Sequence, residues 1–174
     1  MVVGLSEDMV RQLLERSLDE ADTEIQQNTS DHERFGTGRY EEWYAKGRTP
    51  FALMHEESGA LAAVAWFGPK PLGRKSLKHL NAEERNEDET TMDAGDWHTI
   101  VYRSYQPFRG QGIMKGFVRT AMDIYRSVFP RARFWTGVHS ENPASVGLSR
   151  ALGLEVDEGR SDPAHHYTLM VESS

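Results

Sequence analysis

Arg109, Gly110 and Gly112 stand just ahead of a strongly apolar helical pattern, in the string YQPFRGQGIMKGFVRTAMDIY from Tyr105 to Tyr125. The first N–H groups of a helix have no partner inside it, point outward and carry partial positive charge. They suit an anion, above all where the preceding turn lacks Cβ atoms. Gly110 and Gly112 would let a phosphate come close to the backbone. Arg109 would add a planar cationic fork at the rim, with Ser104 next door on the preceding strand. Two phosphate patterns are excluded. A Walker A loop needs Gly-Lys-Ser/Thr after a glycine and four residues, and no such string occurs. A dinucleotide fingerprint would need glycine where Lys115 stands, and Gly116 is one place out of register. On these residues alone, an anion cradle and a plain tight turn are both open.

The elements that must position this loop follow from periodicity. WHTIVYRSY is β-branched and aromatic and predicts a central strand, on which His98, Ile100, Tyr102 and Ser104 share a face. After the loop, Ile113, Phe117, Ala121, Ile124 and Val128 form one apolar stripe, and Met114, Val118, Met122, Tyr125 and Phe129 a neighbouring one. Two adjacent stripes predict a helix packed on a sheet, ended by Pro130. ARFWTGVHS predicts the next strand. NPASVGLSRALG predicts a helix with Asn142 as cap, Pro143 at its first position and Gly153 just past its end. LEVDEG and HHYTLMVE predict two closing strands joined by a loop at 160–164. His165 and His166 are then adjacent on a strand, face opposite ways and make a poor metal pair.

Upstream, Ser6 caps a helix expected to run to about Gln27, NTSDHERFGTG reads as a loop, and RYEEWYAKG as a short helix stopped by Gly47. Residues 51–55 and 61–67 read as a hairpin, and Trp43, Trp66, Trp97 and Trp135 as core. The order predicts a mixed α/β sheet with antiparallel ends, in a single domain over 1–174. Residues 69–96 form a polar insertion, basic at GRKSLKHL and acidic at NAEERNEDETTMDAGD, with a short helix near 77–84. It reads as a solvated loop or as a lid over a site.

A length of 174 residues allows one well-buried core and is short for two domains. No apolar run approaches the ~20 residues of a membrane helix, so no membrane partner is expected. MVVGLSEDMV has neither a basic start nor a long apolar stretch, so no signal peptide is expected. The lack of cysteine excludes disulfides, cysteine nucleophiles and thiolate metal sites, and fits a reducing cytoplasm, the expected location. A formal net charge of -7 argues against nucleic acid and mildly favours cationic ligands, while acidity also simply keeps a protein soluble.

RGQGIM resembles the acetyl-CoA diphosphate loop of the GNAT superfamily of N-acetyltransferases: Gln/Arg, two residues, Gly, one residue, Gly/Ala, opening the helix after a central strand. Arg109 and Gly112 match, and Met114 stands where glycine or alanine is usual. ENPASVGLSRALGLEVDEG resembles the family's second block; Asn142 and Gly153 match, and Leu154 replaces phenylalanine. The spacing of the two blocks also fits, and the resemblance covers about residues 97–159. The N-terminal part agrees in its helix-helix-hairpin order, with a first strand squeezed into 1–4. The implied fold is a GNAT-like twisted, largely antiparallel mixed α/β sheet with a central parallel splayed strand pair and helices on both faces.

The resemblance further implies acetyl-CoA as cosubstrate and no metal. Its pantetheine arm would enter the split and pair with Tyr102, Arg103 and Ser104 like an added strand. Its diphosphate would sit on Arg109, Gly110, Gln111, Gly112, Ile113, Met114 and Lys115. Asn142 would cap its helix, reach the cofactor arm, or do both, because a cap uses only the side-chain oxygen. The reaction implied is direct attack on the thioester by an amine of a small molecule or peptide, in a ternary complex. The amine must be neutral, against a reference pKa of ~10.4, so a base is useful. His98, at the start of the central strand where some relatives carry a catalytic carboxylate, is the first candidate, with His139, Glu141 and Asp96 behind it. A plain hydrogen bond to a neighbour is the other role open to His98. The family's usual tyrosine acid in the last helix is matched in position by Ser149, which could orient a water or have no catalytic part. The acidic insertion could draw in a cationic amine. Many relatives dimerise, which leaves a homodimer open. Two other readings stand beside the enzyme: a catalytically weak acyl-CoA-binding or regulatory protein of this fold, and an interaction domain whose glycine loop is structural.

Overall fold

The computed structural model describes residues 1–36 and 39–173. Seven strands form one sheet: β1 (Val2–Val3), β2 (Thr49–Met54), β3 (Leu61–Pro69), β4 (Trp97–Ser104), β5 (Arg133–His139), β6 (Leu154–Val156) and β7 (Tyr167–Glu172). Their order is β1-β2-β3-β4-β5-β7-β6. Neighbours run antiparallel except β4 and β5, which are parallel. A parallel neighbour needs a crossover, and the long helix α6 (Ile113–Val128) supplies it. The run LAAVAWFG of β3 is apolar throughout because helices cover both faces of the sheet there.

On one face α6 and α7 (Pro143–Ala151) pack a core that includes Phe67, Ile100, Phe117, Val118, Met122, Tyr125 and Phe134. On the other, α1 (Glu7–Leu18), α2 (Thr23–Asn28), α3 (Asp31–Phe35) and α4 (Tyr40–Ala45) pack a second core with Leu13, Phe35, Trp43, Val64, Trp66 and Tyr105. A short helix α5 (Ala82–Asn86) lies in the insertion, opened by a reciprocal capping box between Asn81 and Glu84. Ser6 caps α1 and Asn142 caps α7, as their positions predict.

Five local expectations give way. The first helix does not run to Gln27, because Asp19 and Asp22 bond backbone N–H groups of Ala21 and Ile25 and so close one helix and cap the next. The expected loop NTSDHERFGTG contains α3, held by the buried carboxylate of Asp31; Thr37 and Gly38 lie outside the described residues. On α6, Ile124 and Val128 are exposed, so the buried face is narrower than the two stripes imply. His165 ends a 3-10 turn and His166 is left-handed (φ 52°), so the pair precedes β7 instead of lying on it. Trp43, Trp66 and Trp135 are buried, whereas Trp97 is partly exposed under the Arg133 guanidinium. Among the described residues, no helix is long and apolar enough to cross a membrane.

One feature of the sheet positions the site. β4 and β5 pair only at Trp97–Thr99 against residues 133–135. Beyond that point β4 stays with β3, while β5 stays with β7, and the sheet opens between them.

Candidate active site

A cavity of about 730 Å³ fills this opening. Its walls are the far half of β4, the start of α6, residues 135–139 of β5, the face of α7, the α2–α3 segment and part of the insertion. Along β4, the Tyr105 N–H donates to Ala62 of β3, so by alternation the backbone groups of Tyr102 and Ser104 turn toward the opening. Their carbonyls are engaged: Arg103 donates to that of Tyr102 at 2.8 Å, and Arg109 to that of Ser104 at 2.9 and 3.1 Å. This edge therefore offers N–H donors to an extended ligand.

At the end of β4 the chain enters the glycine loop. Gly110 (φ 80°) and Gly112 (φ 75°) are left-handed, a conformation that other residues adopt only with strain. Gly112 is the residue ahead of α6, and no side chain caps that helix. A Cβ built at either glycine would meet no atom within 4 Å, so the loop faces open space and not a packed neighbour. The head of α6 thus has its amides directed at the cavity mouth. Lys115 lies on the same wall.

Arg109 does not act as a free cation there. Its guanidinium bonds both oxygens of Asp22 (3.0 and 2.7 Å) and Glu24 (3.1 Å), which tie the loop to α2. Burial pushes the Asp22 carboxyl up, but the Arg109 bonds and the Ile25 amide outweigh this and hold it below the usual carboxylate range.

A hydroxyl cluster joins β4 to α7. The Tyr102 phenol reaches α7, where it lies 2.8 Å from Ser149 Oγ and 3.1 Å from Ser145 Oγ, and donates to the Ser145 carbonyl at 3.0 Å. Burial raises its pKa, against the opposing pull of the two serine bonds. Tyr102 and Ser145 line the cavity, whereas Ser149 is fully buried behind them.

The expected site residues divide accordingly. Tyr102, Arg103, Ser104, Arg109, Gly110, Gly112, Ile113, Met114, Lys115 and Asn142 share the cavity wall. Gln111 is exposed and turns its amide to the Pro107 carbonyl, outside that wall. Ser149 stands one hydroxyl removed from it. His98 is not part of the wall either. It faces α6, with Nδ1 2.7 Å from the Tyr125 hydroxyl and its ring against Phe129. Its position precedes the point where β4 and β5 part, and Tyr125 and Phe129 take up its ring. His139 lines the cavity and stacks on His166, whereas Asp96 pairs with Arg131 at the surface.

The insertion contributes residues that sequence reasoning did not place. Lys70, Arg74, Ser76, Lys78 and His79 line the cavity, while the acidic Glu87 and Glu89 pair with Arg74 and Arg48. The only available signal was the basic composition of GRKSLKHL. From α3, Arg34 joins the wall, and Asp31 behind it bonds both Arg34 (2.6 Å) and Arg103 (2.7 and 3.1 Å).

Solved structures share this fold. A spermidine N-acetyltransferase SpeG chimera from Vibrio cholerae and hSSAT superposes with a TM-score of 0.63 at 11% identity, covering 98% of this chain and 93% of that one. The fold is that of the GNAT acetyltransferases. RimL, a ribosomal L7/L12 alpha-N-protein acetyltransferase in complex with coenzyme A, gives a TM-score of 0.60 at 18% identity over 96% of this chain and 89% of its own. The aminoglycoside acetyltransferase AAC(6')-Ib with coenzyme A and kanamycin gives 0.61 at 14%, over 99% and 95%. No family model matches the sequence, and no curated protein matches it.

Proposed function

We propose that this GNAT-fold protein transfers an acetyl group from acetyl-CoA to an amine of a small molecule or peptide, by direct attack within a ternary complex. The observation that carries this reading is the juxtaposition of three features on one cavity: the free N–H edge of β4 at Tyr102 and Ser104, the glycine-opened head of α6, and the hydroxyl cluster on α7. An extended amide-bearing arm fits the first, a diphosphate the second, and a departing thiolate the third.

The residues divide the work. N–H donors of β4 hold the carrier arm and polarise the thioester carbonyl, where negative charge develops as the amine attacks. Backbone amides from Gly112 to Lys115 hold the diphosphate, with the Lys115 ammonium beside them. The Asn142 oxygen caps α7 by accepting from the Ser145 N–H at 3.0 Å, and its amide group stays on the wall for the arm. Tyr102 gives its proton to the leaving sulfur, and Ser149 orients the phenol from behind. The tyrosine hydroxyl that the last helix lacks is thus delivered from the neighbouring strand. The amine's proton leaves to water or to the imidazoles on the wall, His79, His139 and His166.

Calorimetry with coenzyme A, followed by thiol release from acetyl-CoA over a panel of amines, tests this reading. Binding with turnover is the expected result. No heat of binding at millimolar coenzyme A would refute it, and binding without turnover would favour a carrier-binding regulatory protein of the same fold.

A further inference from the structure

The insertion side of the cavity is cationic. Lys70, Arg74 and Lys78 line it from the insertion and Arg34 and Arg103 from the elements behind, while among the described residues Glu24 is the one acidic side chain on the wall and lies beside Arg109, near the glycine loop. Nearby carboxylates balance these charges only in part, with Glu87 paired to Arg74 at 2.6 Å. Arg34 and Arg103 share the single carboxylate of Asp31. Glu89 is bonded to Arg48, and the Lys70 ammonium makes one long hydrogen bond, 3.4 Å, to the Lys75 carbonyl and lies over the Trp135 ring. Lys78 donates to three backbone carbonyls, at Gln26, Gln27 and Thr29. Two buried donors on this wall have no hydrogen-bond partner: Arg74 Nε and the Tyr167 hydroxyl. Gly137 makes room for that phenol, since a Cβ there would fall 2.5 Å from the Tyr167 ring. Buried donors left unmade are costly, and an anion would supply acceptors to each of them.

We propose that the acceptor amine carries a second, anionic group, a carboxylate or a phosphate, held by Lys70, Arg74 and Tyr167. This rests on the acetyltransferase reading above and deepens it. The anion is not the carrier's diphosphate. Lys70 is tied to the closed end of the opening, where its N–H donates to the Trp97 carbonyl and its carbonyl accepts from Trp135 Nε1, both at 3.1 Å. The glycine loop lies past Ser104, seven strand residues beyond Trp97, or roughly 23 Å at about 3.3 Å per residue.

The anchor has a pH signature. Burial pushes the Lys70 amine down to about 7, Glu89 opposes this, and Arg48, Arg34 and Arg74 add to it. An anion beside it would raise that value again, so binding takes up a proton and weakens as pH rises above about 7.

Acceptors with and without the anion, compared at equal neutral-amine concentration because the anion also shifts the amine pKa, test the proposal: glycine against glycinamide for a carboxylate, phosphoethanolamine against ethanolamine for a phosphate. At least one anionic member should exceed its neutral partner by about tenfold or more in kcat/KM. Lys70→Met should abolish that preference and Tyr167→Phe reduce it, both with unchanged coenzyme A affinity. Titrating the anionic member into coenzyme A-loaded protein should show proton uptake at pH 8 that is absent at pH 6. Equal or better use of the neutral partners, with coenzyme A bound normally, overturns the anion anchor and leaves acetyl transfer standing. Should no acceptor turn over, binding of the anionic members to loaded protein and its loss in Lys70→Met uphold the anchor, and no binding overturns it. A protein that does not bind coenzyme A overturns both.

Discussion

Asp31 has no exposed surface, yet its carboxylate bonds two guanidiniums from different elements, Arg34 on α3 and Arg103 on β4. Burial alone would raise its pKa, but Arg103 and Arg34 outweigh that and hold it below the ordinary carboxylate range. Removing the charge leaves two buried cations sharing no counter-ion. Asp31→Asn is expected to cost about 3–5 kcal/mol, read as a lower midpoint in urea. The sign of the pH effect follows from the depressed pKa: this stabilisation is present above the unfolded carboxyl value of ~3.9 and is lost as pH falls through the folded value. The wild type should therefore lose stability in that acid range, and Asp31→Asn should lose less of it. In the proposed transfer, Tyr102 carries the chemistry at the same scale. Tyr102→Phe should lower kcat by roughly 100-fold with little change in coenzyme A affinity, because the phenol and not the strand edge is removed. Ser149→Ala should cost less, since the Tyr102 hydroxyl keeps Ser145 as a partner. Equal losses in the two variants would show that the serine is more than a support.

At the scale of elements, α6 shows how a helix can serve a site and a core together. Its buried residues, Phe117, Val118, Ala121, Met122 and Tyr125, fix it against the sheet. Its first turn is left to the cavity. Two glycines in this region should respond oppositely to alanine. Gly112 sits at φ 75°, so Gly112→Ala should cost about 1–2 kcal/mol from backbone strain alone, and weaken coenzyme A as the loop shifts. Gly116 lies inside the helix, and a Cβ there meets nothing within 4 Å, so Gly116→Ala should gain about 0.4–1 kcal/mol. Thermal or chemical denaturation of the two variants checks both signs. The insertion belongs to this scale too. Ser30 and Ser76 hydroxyls meet at 3.1 Å and Lys78 closes the end of α2, so the segment is a wall of the cavity and not a free loop.

For the whole molecule, the opening between β4 and β5 predicts that a ligand filling it should stabilise the native state globally, because the cavity joins α2, α3, the insertion, both central strands and α7. Coenzyme A at ~100 times its dissociation constant should add ~2.7 kcal/mol and raise the melting temperature. An unchanged melting temperature at saturating ligand would contradict the site. The sequence by itself determined the central strand, the glycine loop, α6, α7 and the closing strands. Those signals are local: alternation, helical stripes, caps and turn glycines each act within a few residues. Only the tertiary structure decided which side chains meet in the cavity. His98 lies on the expected strand, but its ring is taken up by Tyr125 and Phe129. The Tyr102 hydroxyl meets, at 2.8 Å, a serine that is 47 residues away in sequence, and Arg109 answers to acids more than 80 residues before it. Lys70, Arg74 and Asp31 became part of the site through packing between distant segments. Periodicity records which face of an element is buried; it carries no record of which partner fills the other side of the contact, and that partner sets both charge balance and function.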